Sequence, residues 1–459
     1  MNRARLALLL RKLPDTVRSF ARRFHESGHE CYLVGGAVRN LILGNRPTDF
    51  DFATDASPQQ VMRLFRRVIP TGVEHGTVTV IQGRQTFEVT TYRTEEGYSD
   101  TRRPDSVEFI GDVYEDLKRR DFTMNAMALD PVRRSFLDPH EGERDIRDGI
   151  IRAIGDPGQR FGEDALRMLR AVRFATELEF DVDSQTLEAI RACAPLIAAV
   201  SMERVRDEIT KMLQSRRPSV GLRMMQDTGL LPLALPEVAE GVGVEQRGNH
   251  RYDVFEHSIR ACDAAPREDL AVRLAALLHD VGKPRAMVDD PSGERRFHRH
   301  EQISAQMSEE ILRRLKYPNR TIAEVIHLVR HHMFNYTPEW TDAAVRRFVA
   351  RVGADSIPSL VALRAADSEA IAGRPVDSRA LGEFVSRVEG RLAAEEATSV
   401  RDLAVGGRDL IDAGIPPGPG MGAVLEALLE AVLDDPSLNT KPQLLDIARR
   451  YYRERVRGP

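Results

Sequence analysis

"YLVGGAVRNLILGNRPTDFDFAT", Tyr32–Thr54, holds a glycine pair, an arginine and two aspartates one residue apart. It reads as strand, tight turn, helix-like run and second strand. Side chains two apart on a strand share a face. Asp49 and Asp51 therefore point one way, and Phe50 and Phe52 turn into a core. Two carboxylates on one face repel unless a cation sits between them. An all-oxygen donor set suits Mg²⁺, which binds one or two carboxylates together with substrate phosphates. Gly35 and Gly36 open the run "AVRNLILG", and a glycine turn there presents bare N–H groups to a phosphate. Arg39, one turn further, adds positive charge. The stretch thus has the parts for a nucleoside triphosphate with its metal. Its plain alternative is a glycine turn followed by a solvated Asp pair.

Working outward, "CYLVGG", "DFDFAT", "GTVTVIQ", "TFEVTTYR" and "SVEFIG" are short, β-branched or aromatic, and bounded by Gly, Pro or Asp. Between them "SPQQVMRLFRRV" predicts a helix with Ser57 as N-cap and Pro58 at its first position. This gives a small α/β or α+β domain up to about residue 150. Beyond it "GEDALRMLRAVRFATEL", "VRLAALLHD", "QISAQMSEEILRRL" and "GAVLEALLEAVL" carry apolar residues at helical spacing. Breaks at "LPEVAEGVGVEQRGNH", "AIAGRPVDSR" and "AGIPPGPGMG" suggest junctions. The expected segments are 1–150, 151–245, 246–375 and 376–459.

A chain of 459 residues is too long for one ordinary core. Its apolar fraction of 42% and charged fraction of 30% fit a soluble globular protein. At a net charge of −4, a polyanion must be held by a local basic face. Cys31, Cys193 and Cys262 are far apart and form no CxxC, which points to a reducing, cytoplasmic setting. "RARLALLLRKLP" reads as an amphipathic helix ended by Pro14, and no run is long enough to span a bilayer.

"GGAVRNLILG…DFDFAT", "RRDFTMNAMALD" (Arg119–Asp130) and "EDALRMLRAVRFA" (Glu163–Ala175) resemble, in this order, the motifs of bacterial class II tRNA nucleotidyltransferases. These are CCA-adding enzymes of the polymerase-β-like superfamily, with bacterial poly(A) polymerases as close relatives. The resemblance runs from about residue 30 to the C-terminus. It implies an α+β protein: a polymerase-β-like head with a mixed sheet, then a mostly helical neck, body, HD domain and tail. It further implies two Mg²⁺ on Asp49 and Asp51, attack by an RNA 3′-hydroxyl and departure of pyrophosphate. Glu88, in "TFEVTTY", is the candidate third carboxylate; otherwise it is a solvent-facing strand residue. Asn40 departs from the family, which usually has Asp there.

"EDALR" places Asp164 and Arg167 at i and i+3, on one helix face. The common fate of that spacing is a surface ion pair. The functional alternative is base reading. Cytosine and adenine show an amino donor beside a ring-nitrogen acceptor, whereas uracil and guanine show a carbonyl beside an N–H. An aspartate next to an arginine matches the first pair and mismatches the second. The resemblance assigns the same role to these two residues. It also implies ribose and triphosphate contacts for Arg119, Arg120, Asp121 and Asn125. Arg170 and Arg173 continue the helix toward phosphate or the acceptor stem. "YRTEEGYSDTRRPDSVEF" resembles the family's flexible loop, which favours addition of the terminal A.

A second constellation follows in "FEHSIRAC", "ALLHDVGKP", "FHRHEQIS", "LVRHHMF" and "LRAADSEA". A His-Asp doublet with further His and Asp on other helices is a metal-binding pattern. It resembles the HD phosphohydrolases. His257, His279, Asp280 and Asp367 would hold one metal, with His300 and His331 completing a second; His332 is the rival to His331. The similarity implies a metal-dependent phosphatase or 2′,3′-cyclic phosphodiesterase using Ni²⁺, Mn²⁺ or Mg²⁺. The C-terminal "IARRYYRERVRG" is a basic helix suited to RNA backbone or to solvent. The expected partners are tRNA, CTP and ATP, with no membrane, and with monomer and homodimer both open. The expected activity is CCA addition, or at least addition of the terminal A. An A-adding-only enzyme, a poly(A) polymerase and an RNA-binding protein with only HD hydrolase activity remain the alternatives.

Overall fold

The protein is described from a computed structural model covering residues 1–96, 106–246, 251–289, 295–374, 377, 379–394 and 397–456. It divides into two compact units, Met1–Ala239 and Glu240–Pro459. The first begins with α1 (Arg3–Arg11) and α2 (Asp15–Glu26), parted at Pro14, which cannot continue a helix. Then come β1 (Cys31–Val34), α3 (Gly36–Ile42), β2 (Phe50–Thr54) and α4 (Pro58–Leu64). The start of α4 is as the sequence predicts: Ser57 and Gln60 form a reciprocal capping box, with Pro58 at the first position.

β3 (Val68–Gly72), β4 (Thr77–Gln82) and β5 (Gln85–Thr91) form a meander. β6 (Arg93–Glu96) and β7 (Ser106–Phe109) pair as a separate two-stranded ribbon. The tip of the loop resembling the family's flexible loop, residues 97–105, lies outside the described residues. After α5 (Val113–Lys118), β8 (Ala128–Asp130) and β9 (Ser135–Leu137) complete a seven-stranded sheet of order β3-β4-β5-β2-β1-β8-β9. It is mixed, because β2 and β5 run parallel while their neighbours are antiparallel.

The register of the parallel pair matters most: it sets Asp51 opposite Glu88 and Phe52 opposite Val89. Phe50 and Phe52 are buried as expected, and Asp51 and Glu88 are exposed on the other face. Phe20 of α2 stacks on Phe65 and Phe87 at 4.7 and 4.3 Å and meets Phe52 at 4.9 Å. Such rings dominate core energetics, and Phe20→Ala would cost about 3–5 kcal/mol. This aromatic layer holds β2 and so fixes where its carboxylates project.

Helices take over beyond the sheet: α6 (Gly142–Asp148), α7 (Pro157–Glu163), α8 (Leu166–Leu178), α9 (Ser184–Cys193) and α10 (Met202–Leu213). Among the described residues the second unit is helical apart from one short antiparallel ribbon and an isolated bridge between Glu245 and Asp253. Its helices Val254–Ala264, Leu270–Leu278, His300–Arg314, Asn319–His331 and Ile357–Ala372 pack together. The tail helices Pro419–Asp434 and Lys441–Tyr451 share a separate core around Val424, Leu428 and Leu444. No helix among the described residues is long and apolar enough to cross a membrane. The three cysteines are free thiols.

Candidate active site and metal centre

A cavity of about 460 Å³ opens in the first unit. Gly35, Gly36 and Arg39 line it from the head, with Asp51 beside them, then Arg119, Arg120, Asp121 and Asn125. Asp164, Arg167, Arg170, Arg173, Phe174 and Arg204 close the other wall. Residues widely spread in sequence thus share one pocket. Gly35 has φ +66°, and a Cβ there would lie 3.4 Å from Arg120 Nη1 and 3.7 Å from Asp51 Oδ2. A side chain at this position would meet only ordinary contacts, but the left-handed backbone would strain it.

Asp49 stands one residue before β2 and, like Asp51 and Glu88, is exposed. Although part of its side chain reaches solvent, the enclosure of its carboxyl at the pocket wall, then the neighbouring Glu88 and Asp49, push Asp51 up to about 6, against the pull of Arg120. A divalent cation would relieve that repulsion, so the oxygen-only donors of Asp49, Asp51 and Glu88 fit Mg²⁺.

Asp164 and Arg167 do not share a helix face, contrary to the reading of "EDALR". Asp164 sits at the break between α7 and α8 in an extended conformation (φ −146°, ψ 102°). Its Oδ1 accepts from the Leu166 N–H, offering the chain a cap in place of a continued helix. Arg204 of α10 then forks onto both oxygens, at 3.1 and 2.7 Å. Arg167 donates instead to Glu163 Oε2, the Arg160 carbonyl and the Arg119 carbonyl. A carboxylate oxygen accepts two bonds and a guanidinium donates five, so Asp164 Oδ2 keeps about one acceptor position, and Arg167 keeps Nε–H and one Nη2–H.

Asp121 is buried, and each oxygen takes two bonds. Oδ1 accepts from the Phe122 N–H and Asn125 Nδ2, and Oδ2 accepts from Arg170 Nε and Nη2. Burial raises its carboxyl, but Arg170 and these bonds hold it at about 2. Asp121 therefore orients Asn125 and Arg170 rather than offering an open acceptor to a ribose. Arg119 and Arg120 share the buried Asp116, at 2.8 and 3.2 Å. Arg173 is likewise buried and paired, with Glu208 and Glu177 at 2.5 and 2.6 Å, and its guanidinium lies 3.9 Å from the Phe174 ring centre. Arg204, Glu163, Asp116 and Phe174 escaped the sequence reading. Each lies on a helix whose spacing advertises only burial or surface charge.

In the second unit His257, His279, Asp280 and Asp367 converge. His257 Nε2 is 3.1 Å from His279 Nε2, 3.4 Å from Asp280 Oδ2 and 3.1 Å from Asp367 Oδ1. On the far side of the same aspartate, Asp280 Oδ1 faces His300 Nε2 at 3.3 Å and His332 Nε2 at 3.9 Å. His331 is not among them. It precedes His332 by one residue, so its ring points elsewhere, against His327 at 4.7 Å. The rival His332 holds the position. Among the described residues, two sets bring their ligand atoms within 4.8 Å of one another: His257, His279, Asp280 and Asp280, His300, His332.

The ring nitrogens are oriented for metal. His279, His300 and His332 each turn Nδ1 to the carbonyl three residues before, at 2.9, 3.0 and 2.7 Å. That bond places the proton on Nδ1 and leaves Nε2 as the donor atom. Burial lowers the His279 pKa, but Asp280 and Asp367 outweigh it and raise it to about 10. Burial and His279 bring His332 down to about 3. Imidazole and carboxylate donors in one buried cluster fit a transition metal, which would displace the proton between His279 and its acids. Sequence reading also missed Lys283, whose Nζ lies 2.7 Å from Asp280 Oδ2 and 2.5 Å from Gln246 Oε1. It missed Arg364 too, which holds Asp367 Oδ2 at 2.7 Å.

The head sheet and its arginine-lined pocket define a nucleotidyl-transferring enzyme of the poly(A)-polymerase type. Residues 31–152 match the family "Poly A polymerase head domain", 179–241 "Probable RNA and SrmB- binding site of polymerase A", and 247–371 "HD domain". An A-adding tRNA nucleotidyltransferase of Deinococcus radiodurans is 37% identical over 418 residues, 87% of this chain and 90% of the relative. A CCA-adding enzyme of Geobacillus thermodenitrificans is 35% identical over 428 residues, 92% and 93% of the two chains. The crystal structure of the Bacillus stearothermophilus CCA-adding enzyme in complex with CTP matches with a TM-score of 0.75 at 31% identity, covering 96% of this chain and 98% of that one. The chain belongs to the family of tRNA nucleotidyltransferases that contains the CCA-adding and A-adding enzymes.

Proposed function

We propose that this enzyme builds the CCA end of tRNA, using CTP and ATP without a nucleic-acid template. The observation that carries the reading is one open acceptor on Asp164 beside open donors on Arg167, in a pocket that also holds the phosphate-binding arginines and Asp51. The open acceptor suits the amino group of cytosine or adenine, and Arg167 suits the adjacent ring nitrogen. A carbonyl of uracil or guanine would face a carboxylate and leave buried groups unpaired. Arg119 and Arg120, steadied by Asp116, would hold the triphosphate against the Gly35–Gly36 turn. Asp49, Asp51 and Glu88 would hold Mg²⁺. When bound there, it supplies charge neutralisation at the transferred phosphoryl group and activation of the attacking 3′-hydroxyl.

Segments 1–150, 151–245, 246–375 and 376–459 then serve as catalytic head, base-reading neck and body, HD domain and tRNA-binding tail, in the cytoplasm. Relatives of both names match over most of the chain, and the β6–β7 ribbon supports addition of the final A. Radiolabelled extension of tRNA lacking CCA and of tRNA ending in CC separates the options. CTP and ATP incorporation on the first substrate is the expected result. ATP incorporation on the second alone would mark an A-adding enzyme, and long A tails would mark a poly(A) polymerase.

A second reading rests on the paired clusters around Asp280. The His257, His279, Asp280, Asp367 set, with His300 and His332, supports a metal-dependent phosphohydrolase acting on phosphate monoesters or 2′,3′-cyclic phosphates. Release of phosphate from these substrates on adding Ni²⁺, Mn²⁺ or Mg²⁺ to chelated protein tests it. No release with any of the three would remove it.

A further inference from the structure

Every arginine lining the nucleotide pocket except Arg39 has a carboxylate oxygen within 3.2 Å. Arg39 differs. Its Nη1 donates to Asn125 Oδ1 at 2.9 Å, and its Nε and Nη2 donate to Asn40 Oδ1 at 3.3 Å. Its guanidinium carbon lies 4.9 Å from the Phe174 ring centre. Among the described residues no carboxylate oxygen comes within 4.0 Å of it in an ion pair. Its position is nonetheless fixed: Nη2 stands 3.5 Å from where a Gly36 Cβ would be, against the glycine turn.

Two neutral amide oxygens thus aim Arg39 without cancelling its charge. An amide oxygen accepts the same N–H groups as a carboxylate, but it leaves the guanidinium's positive charge for an incoming anion. We propose that Asn40 keeps Arg39 as the arginine of this pocket without a carboxylate partner in direct contact, and so sets how tightly the enzyme holds the triphosphate of either nucleotide. A carboxylate at this position would pair with Arg39, and the substrate phosphates would then compete with it. The inference rests on the reading of this pocket as the triphosphate site.

Asn40→Asp tests it. Dissociation constants for CTP and ATP are measured by calorimetry on the full chain, with EDTA and with Mg²⁺, alongside the melting temperature without nucleotide. Both nucleotides should bind about tenfold more weakly in the variant. The melting temperature should rise, because a partly buried ion pair is gained. A merely damaged protein would lose both, so the opposite signs identify the mechanism. Arg39→Gln should weaken binding as well, and adding Asn40→Asp to it should cost far less than in the wild type. Unchanged affinity in Asn40→Asp would overturn the inference. So would an equal loss in the Arg39→Gln background, which would mean direct repulsion by the new carboxylate. If the wild type bound neither nucleotide, the pocket assignment and this inference would fall together.

Discussion

Replacing Asp51 by Asn should stabilise the metal-free protein while abolishing nucleotide addition. The Asp51 carboxyl is held at about 6 rather than 3.8, by burial and by Glu88 and Asp49. The folded form therefore binds this proton more tightly than the unfolded chain. Its cost to stability is absent below the unfolded value, grows as pH rises toward 6, and is complete above it. Fully shielded, a displacement of that size corresponds to about 3 kcal/mol. The side chain reaches solvent, however, and screening at an exposed charge reduces the effect to about 1 kcal/mol. For a unit the size of Met1–Ala239 that is about 2–4 °C in Tm. The assay is thermal unfolding in EDTA near neutral pH and again near pH 4, then with Mg²⁺. Asp51→Asn should melt higher than wild type at neutral pH and equal to it near pH 4. Mg²⁺ should raise the wild type more than the variant. A variant that melts lower at neutral pH, or gains equally from Mg²⁺, would refute the reasoning.

Asp164→Ala should relax discrimination between C or A and U or G by about 10–100-fold in kcat/KM, measured with all four nucleotides. Arg167→Ala should relax it in the same direction, and unchanged preference in both variants would show that other groups read the base. Double substitution His279→Ala with Asp280→Ala should remove metal-dependent hydrolysis of a 2′,3′-cyclic phosphate while tRNA extension persists on the same preparation. Metal analysis should find the content of His332→Ala reduced and that of His331→Ala at the wild-type level; the reverse result would restore His331 as the ligand.

The head was legible because its signals are local. Alternation in "DFDFAT" places Phe50 and Phe52 in the core and the aspartates outside, and Ser57-Pro58 announces a helix start. Parallel pairing with β5 then sets Glu88 beside Asp51. The sequence shows Glu88 only as a carboxylate on a strand, since register between distant strands is not written in either one. The break at Asp164 was missed because "GEDALRMLRAVRFATEL" has unbroken helical spacing. Only tertiary pairing with Arg204 and the local cap on Leu166 favour the extended turn there. Likewise Asp116, Lys283 and Arg364 act by charge pairing, which leaves no periodic trace in a sequence. His331 and His332 are adjacent, so motif position could not choose between them. Helix phase does, because residues one apart on a helix point about 100° from each other.

Tests of the central assignment converge on the carboxylate edge of the head. The most direct measurement follows incorporation of CTP and ATP into tRNA lacking its CCA end, by wild type and by purified Asp49→Ala, with folding of both checked by their melting curves. Wild type should extend the tRNA by C, C and A and then stop, and Asp49→Ala should add nothing while remaining folded. Normal extension by Asp49→Ala, or equal use of UTP and GTP by the wild type, would contradict a metal-assisted nucleotidyl transfer in which the protein itself reads the base.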